Sequence, residues 1–190
     1  MSDNLASGLF LPTANVFLIG FSGAGKSAVG RALAERLGRE FVDTDVEIVR
    51  CFDKSIERVF AEDGEARFRE VEAAIVGQAA ERARLVISLG GGAIIDPRGR
   101  SAVLGGLPGR SCVVWLDAAP EVLLSRLRGD STEVRPLLSS ADPLARIREL
   151  RSRREMAYAA AANRRIATDE LSPAEVAERI ASWLAVIWRQ

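Results

Sequence analysis

The segment that most limits how this chain can fold is the glycine-rich run GFSGAGKS at residues 20–27. It matches the pattern G-x-x-x-x-G-K-[ST], in which the backbone wraps a polyphosphate and the following helix turns its N-terminus to the anion. The flanking sequence agrees, because the apolar run at 15–19 predicts a buried strand and the apolar stripe in 27–37 predicts a helix. The segment therefore predicts an ATP-binding P-loop in an α/β fold.

Lysine is rare in this chain, so its placement is informative. Only Lys26 and Lys54 are lysines among the 26 basic residues, and Lys26 occupies the P-loop position that reaches the β- and γ-phosphates. In such loops the next hydroxyl, here Ser27, binds Mg²⁺. The ATP-binding residues predicted in this loop, with Mg²⁺ as cofactor, are Gly23, Ala24, Gly25, Lys26, Ser27 and Ala28.

Composition excludes several other classes of protein. The 190 residues include no histidine, which excludes serine–histidine and cysteine–histidine nucleophiles as well as histidine metal ligands. The formal net charge is zero, so we expect no nucleic-acid partner bound mainly through phosphate neutralisation. Cys51 and Cys112 are isolated in sequence, which indicates reduced thiols rather than a zinc or disulfide framework.

The length and the N-terminal sequence indicate one cytoplasmic domain. The apolar stretches stay shorter than the roughly 18 residues that a membrane span needs, and we expect neither a secretory signal nor a membrane partner. A chain of this length suits one core. We expect a flexible lead-in at 1–13, a single domain at 14–190, and a monomer.

The order of predicted elements gives the fold class. Apolar runs predict strands at 15–19, 40–42, 85–89, 111–116 and 165–168, and the segments between them are mostly helical in pattern. Alternation of this kind is typical of a mainly parallel sheet with helices on both faces. We expect a three-layer α/β/α fold with a five-stranded parallel sheet.

Two carboxylates follow the second predicted strand. Asp43 and Asp45 lie where that strand ends, at the carboxyl edge where ligands of open α/β sheets bind. One carboxylate beside a magnesium–phosphate complex can assist the metal through its water shell, and another can accept the proton of an attacking hydroxyl. An acidic turn is the alternative interpretation of the same spacing.

Arg69 and Glu72 lie three residues apart on a predicted helix. This spacing is typical of a surface salt bridge between two solvated side chains. The alternative is an arginine that offers both prongs of its guanidinium group to a substrate carboxylate. The pattern by itself is compatible with either interpretation.

Three consecutive glycines, Gly90, Gly91 and Gly92, end the third predicted strand. Side chains at these positions would occupy a pocket at the sheet edge. Glycine therefore indicates a close approach of the backbone to another group at this edge. A tight turn that requires positive φ is the alternative.

The polar segment at about 129–142 has no clear apolar period, and long loops inside compact domains are usually functional or disordered. It carries Arg135 next to Pro136. On a mobile lid, this arginine would close over the γ-phosphate, exclude water and spread the developing charge. A flexible turn is the alternative.

Taken in order, these motifs resemble the shikimate kinase family, which is grouped with the nucleoside monophosphate kinase-like P-loop proteins. The resemblance covers roughly residues 15–183. It is carried by the P-loop with Gly30-Arg31 beyond it, Asp43-Thr44-Asp45, Phe68-Arg69-x-x-Glu72, Ser88-Leu89-Gly90-Gly91-Gly92 and Arg135-Pro136-Leu137-Leu138.

The resemblance implies which residues bind the acceptor. Asp45 would contact the shikimate hydroxyls, and Asp43 would lie near magnesium. Arg69 would hold the shikimate carboxylate together with Arg154, the arginine four residues before Tyr158. In the implied P-loop kinase fold with a mobile lid, the substrate-binding region would span about 44–72. The glycine run would be the floor of the acceptor site, where backbone N–H groups can approach a small hydroxylated ring.

The resemblance also implies nucleotide contacts. Arg135 would be the lid arginine, and Arg128 would pack against adenine.

The chain departs from the family pattern in two places. Ala28 replaces the usual threonine after Ser27, with a small expected effect, and the segment 168–173 lacks the arginine that several relatives place beside adenine.

The activity implied is that of an ATP:shikimate 3-phosphotransferase, which forms shikimate 3-phosphate and ADP in aromatic amino-acid biosynthesis. Its expected catalytic residues are Lys26, Asp45 and Arg135. Another small-molecule P-loop kinase, such as a gluconate or nucleotide kinase, is the neighbouring alternative. A regulatory P-loop ATPase or partner-binding module is an alternative from a different class.

Overall fold

The computed structural model describes residues 12–105, 109–129 and 141–188. Within these ranges five strands form one sheet in which every pairing is parallel, in the order β2-β3-β1-β4-β5. The strands are β1 (Asn15–Ile19), β2 (Glu40–Asp43), β3 (Leu85–Ser88), β4 (Ser111–Asp117) and β5 (Arg164–Ala167). The predicted five-stranded parallel sheet is confirmed.

Eight helices occur in the described part of the chain and flank the sheet. They are α1 (Lys26–Leu37), α2 (Thr44–Phe52), α3 (Ile56–Glu62), α4 (Gly64–Glu81), α5 (Pro97–Leu104), α6 (Pro120–Gly129), α7 (Pro143–Ala161) and α8 (Pro173–Ile187). None of these helices is long and apolar enough to cross a membrane.

The alternation of side chains along β1 divides the core into two layers. Val16 and Leu18 pack with residues of α1, α6 and α8 on one face of the sheet. Phe17 and Ile19 pack with residues of α4 and α5 on the other face. Because β1 lies at the centre of a sheet covered on both sides, every residue of this strand is apolar or hydrogen-bonded and all five are buried.

The segment between β2 and β3 differs from the sequence prediction in one respect. The sequence predicted a largely helical stretch at 46–82 with one break at 62–64, but the chain breaks twice. Asp53 adopts a left-handed conformation with φ 51° at the end of α2. Ser55 then caps α3 by accepting a hydrogen bond from the backbone N–H of Arg58. The result is a short helical arm, α2–α3, packed on α4 through Ile48, Val59 and Phe68.

The direction of the strands determines where the functional residues meet. In a parallel sheet all carboxyl ends lie at one edge, so the P-loop after β1, the aspartates after β2 and the glycines after β3 converge there. The lid predicted at about 129–142 falls largely on residues 130–140, which lie outside the described ranges, as does most of the predicted lead-in at 1–13.

Candidate active site

A cleft of about 880 Å³ lies at the carboxyl edge of the sheet. The P-loop and the start of α1 form one end, and the α2–α3 arm with α4 forms the other. The glycine run lies between the two ends, and single arginines from α6 and α7 complete the walls. The residues predicted separately as phosphate site and acceptor site therefore belong to one continuous cleft.

The phosphate end is formed by the turn into α1. Gly25 has φ 89°, a left-handed conformation that lets the chain enter the helix without a side-chain cap. The Lys26 ammonium group is buried and donates hydrogen bonds of 3.0 Å to the carbonyl oxygens of Gly20 and Phe21. This geometry holds the cation across the mouth of the loop, beside a helix N-terminus that favours anions.

Ser27 and Asp43 form a pair of oxygen ligands next to the loop. The Ser27 hydroxyl donates a 2.5 Å hydrogen bond to Oδ2 of Asp43. Oδ1 of Asp43 accepts from the backbone N–H of Asp45 and so caps α2. Hydroxyl and carboxylate oxygens are the donors that Mg²⁺ prefers. No cluster of three or more acidic, cysteine or histidine side chains suited to a metal occurs in the described ranges.

The acceptor end contains an arginine between two carboxylates. Nη1 of Arg69 donates a 2.5 Å hydrogen bond to Oε2 of Glu72, and Nη2 lies 3.4 Å from Oε1 of the more exposed Glu65. Asp45 lines the same wall of the cleft. The interpretation of Arg69 and Glu72 as a surface salt bridge is wrong, because Glu72 is only 1% exposed.

Glu72 is a buried carboxyl in this wall, and its pKa is shifted. Burial raises its pKa, the Arg69 guanidinium opposes that effect, and the nearby charge of Asp45 raises the pKa further. Oε1 of Glu72 is buried and has no hydrogen-bond partner among the residues that the structure describes. Within the described part of the chain, pairing with Arg69 therefore satisfies only one of the two oxygens of this buried carboxyl.

The three glycines leave room for these side chains. A Cβ atom on Gly90 would lie 2.7 Å from both Oδ1 of Asp45 and Oε1 of Glu72, and one on Gly92 would lie 2.6 Å from Nη2 of Arg69. A Cβ on Gly91 would make ordinary contacts of 3.5 Å. None of the three glycines has a positive φ, so the tight-turn interpretation is wrong and close approach explains the run.

One detail of the predicted glycine floor is corrected by the hydrogen bonds. The backbone N–H of Gly90 is not directed to the cleft, because it donates 3.0 Å to the Thr44 hydroxyl. Gly90 therefore contributes space rather than a donor.

Arg154 reaches the glycine run from α7. Its Nη1 donates 3.2 Å to the carbonyl oxygen of Gly91, and the Tyr158 hydroxyl donates 2.6 Å to the same atom. Burial raises the pKa of the Tyr158 hydroxyl, so the phenol keeps its proton and remains a donor. Arg69 and Arg154 both line the cleft, and each lies beside a different glycine of the run, Arg69 beside Gly92 and Arg154 beside Gly91.

The remaining residues predicted to bind ATP do not all line the cleft. Gly23, Gly25, Ser27 and Ala28 line the cleft, whereas the Ala24 side chain is buried in the core. Arg128 is exposed and is not part of the lining. Arg135 lies outside the described ranges.

Among the charged residues that line the cleft, Arg126 was not predicted from the sequence, and Glu72 was expected at the surface in one of two interpretations. Arg126 lines the cleft and donates to both the side chain and the carbonyl oxygen of Thr168. Its spacing of three from buried Leu123 indicates that it lies on the inward face of α6. Glu72 follows buried Phe68 by four residues, and that spacing indicates burial in the same way.

Comparison with known proteins agrees with this geometry. The sequence matches the shikimate kinase family over residues 22–185. A shikimate kinase of Symbiobacterium thermophilum is 46% identical over 166 residues, which cover 87% of this chain and 93% of the relative. A solved shikimate kinase from Acinetobacter baumannii in complex with shikimate superposes with a TM-score of 0.84 at 35% identity, covering 92% of this chain and 94% of the other.

A gluconokinase from Sinorhizobium meliloti is more distant. It is 19% identical, with a TM-score of 0.58 over 94% of this chain and 95% of the other, and it shows only that the fold is shared. The extent of the family match and the identity to its members together establish that this chain belongs to the shikimate kinase family.

Proposed function

We propose that this protein transfers the γ-phosphoryl group of ATP to the 3-hydroxyl of shikimate, forming shikimate 3-phosphate and ADP. The observation that carries the proposal is the convergence of Asp45, Arg69 and Arg154 around the glycine run, in the same cleft as the P-loop. A small acid with ring hydroxyls needs this combination of a carboxylate and two guanidinium groups. Membership of the shikimate kinase family supports the same substrate.

At the phosphate end, P-loop backbone N–H groups and Lys26 would hold the β- and γ-phosphates. Ser27 would bind Mg²⁺ directly, and Asp43, hydrogen-bonded to Ser27, would hold it through water. When bound, the ion supplies charge neutralisation at the β- and γ-phosphate oxygens. On binding ATP, Lys26 would exchange the carbonyl oxygens of Gly20 and Phe21 for phosphate oxygens.

At the acceptor end, Arg69 and Arg154 would bind the shikimate carboxylate, and Asp45 would accept hydrogen bonds from ring hydroxyls. Fixing both ends of the ring directs one hydroxyl at the P-loop. Asp45 would orient that hydroxyl and accept its proton as the O–P bond forms. Much of the rate enhancement would come from this positioning and from electrostatic stabilisation.

The glycine run would be the floor on which the ring lies, between the two arginines. Arg135 would neutralise charge on the transferring phosphoryl group from the lid. The same lid would limit transfer to water. Either Arg126 or Arg128 on α6 would contact the nucleotide. The protein would act in aromatic amino-acid biosynthesis as a cytoplasmic monomer, without a nucleic-acid or membrane partner.

A coupled assay for ADP release, with shikimate, gluconate and AMP offered in turn, tests the proposal. We expect turnover with shikimate alone, and phosphate ester formation on the 3-hydroxyl by ³¹P and ¹H NMR. Turnover with gluconate or AMP but not with shikimate would overturn the proposal. ATP hydrolysis that is independent of any acceptor would indicate a regulatory ATPase instead.

A further inference from the structure

Thr44, the central residue of the Asp-Thr-Asp run, has no role in the mechanism above, yet its side chain is completely buried at the edge of the cleft. Its hydroxyl donates a 3.2 Å hydrogen bond to the carbonyl oxygen of Ser88 and accepts a 3.0 Å hydrogen bond from the N–H of Gly90. We propose that Thr44 is a positioning residue, which holds the aspartates after β2 at a set distance from the glycine floor.

These two hydrogen bonds continue the sheet beyond its last residue pair. The β2–β3 ladder ends where Asp43 pairs with Ser88. Beyond that pair β2 turns into α2 and β3 turns into the glycine run, so the backbones no longer pair directly. The Thr44 hydroxyl binds two backbone groups at this divergence, the carbonyl oxygen of the last residue of β3 and an N–H of the glycine run. Only a group that both donates and accepts can bind the two at once.

The position of Thr44 connects this contact to both ends of the cleft. Asp43 is hydrogen-bonded to Ser27 at the phosphate end, and Asp45 approaches the Gly90 Cα so closely that a Cβ there would lie 2.7 Å from Oδ1. Thr44 joins these two aspartates in the chain. Its contact with Ser88 and Gly90 therefore fixes the position of the Asp45 carboxylate, which faces the acceptor hydroxyl. That position is set relative to the hydrogen-bonded aspartate at the phosphate end. The inference rests on the proposed function for the identity of that hydroxyl.

A matched control exists at the opposite edge of the sheet. The Asn15 side chain accepts from the N–H of Leu85, at the start of β3, and donates to the carbonyl oxygens of Ala79 and Arg82. Asn15 is also buried and also ties strand β3 to its surroundings, but the amino ends of parallel strands lie away from the cleft. Removing its side chain therefore tests loss of a buried polar contact without displacement of the aspartates.

The experiment compares Thr44→Val, Thr44→Ser and Asn15→Ala, with kcat and KM for both substrates, ADP affinity by calorimetry and the melting temperature of each variant. We expect Thr44→Val to lower kcat by roughly tenfold or more, since small displacements of reacting groups have effects of this size, while ADP affinity stays near that of the wild type. Thr44→Ser, which keeps the hydroxyl, should restore turnover. Asn15→Ala should lower the melting temperature with little change in kcat.

Equal losses of kcat in Thr44→Val and Asn15→Ala at equal melting temperature would overturn the inference, as would failure of serine to restore turnover. A readout on the unmodified protein covers the case in which Thr44→Val does not fold. The Gly90 amide should be protected from hydrogen exchange although it lies beyond the strand end, and exchange as fast as that of an exposed loop amide would overturn the inference. Wild-type turnover on shikimate tests the proposed function separately.

Discussion

Arg69 and Glu72 form an ion pair that is buried in the wall of the cleft, with Nη1 of the guanidinium 2.5 Å from Oε2 of the carboxylate. Two residues earlier on the same helix, and so on a different face of it, Arg67 and Glu70 form a pair with the same spacing, but both side chains are more than half exposed. The two pairs are indistinguishable by spacing. Burial of one pair makes its arginine a fixed cation at the acceptor site, whereas the other pair is solvated.

Arg69→Ala should mainly impair the use of shikimate. Charge-assisted hydrogen bonds contribute about 1.5–3 kcal/mol, so we expect KM for shikimate to rise roughly tenfold to a hundredfold, with KM for ATP nearly unchanged. Arg67→Ala is the matched control and should leave both constants near those of the wild type. Steady-state kinetics at saturating co-substrate measure this, and unchanged shikimate kinetics in Arg69→Ala would remove the residue from the carboxylate clamp.

Glu72→Gln should change how stability depends on pH. Because the pKa of Glu72 is raised in the folded state, folding favours the protonated carboxyl. The resulting contribution to the free energy of unfolding is fully present below the ordinary glutamate pKa of about 4.3. It is lost as pH rises through the folded-state pKa. The wild type should therefore lose stability relative to Glu72→Gln as pH rises from about 4.3 through the folded-state pKa. Urea unfolding of both proteins across this range measures the difference, and a gap that widens in favour of the wild type would contradict the assignment.

The glycine run should respond unevenly to alanine. Gly90→Ala and Gly92→Ala place a methyl group within 2.7 Å of the Asp45 and Glu72 carboxylates or the Arg69 guanidinium. Since those groups must move, we expect KM for shikimate to rise about tenfold or more while ADP affinity is kept. Gly91→Ala has room for its methyl group and should be the mildest of the three. Equal effects at all three positions would indicate a backbone requirement rather than close approach.

Asp45→Asn tests the proton acceptor. The amide keeps the size of the side chain but loses the charge and the basicity, so kcat should fall by roughly a hundredfold or more. ADP binding by calorimetry should be close to that of the wild type, because the phosphate end is unchanged. Near-normal turnover would leave Asp45 with an orienting role only.

Arg126→Ala and Arg128→Ala separate two possible nucleotide contacts on α6. Arg126 lines the cleft and holds Thr168, whose hydroxyl lies 3.4 Å from the carbonyl oxygen of Ala24 in the P-loop. Arg128 is exposed. We expect Arg126→Ala to raise KM for ATP more than Arg128→Ala does, and the reverse order would support the contact with adenine that the family resemblance implies for Arg128.

The sequence by itself determined the architecture and most of the residues of the cleft. The P-loop pattern has few structural solutions, because a strand, a glycine turn and a helix must follow one another for the backbone to wrap a phosphate. The alternation of strands and helices then requires a parallel sheet, and a parallel sheet brings the ends of β1, β2 and β3 to one edge. Asp45, Arg69 and the glycine run could be placed together for that reason.

Only the tertiary structure decided the environment of each side chain. Spacing indicates that Glu72 and Arg126 lie on the inward faces of their helices, but it could not show that Glu72 lies near Asp45, that Arg126 holds Thr168, or that the N–H of Gly90 is bound by Thr44. Burial, pKa and hydrogen-bond partners arise from residues distant in sequence, such as Thr44 and Gly90, that packing brings into contact. Periodicity along one element describes its faces, but not what packs against them.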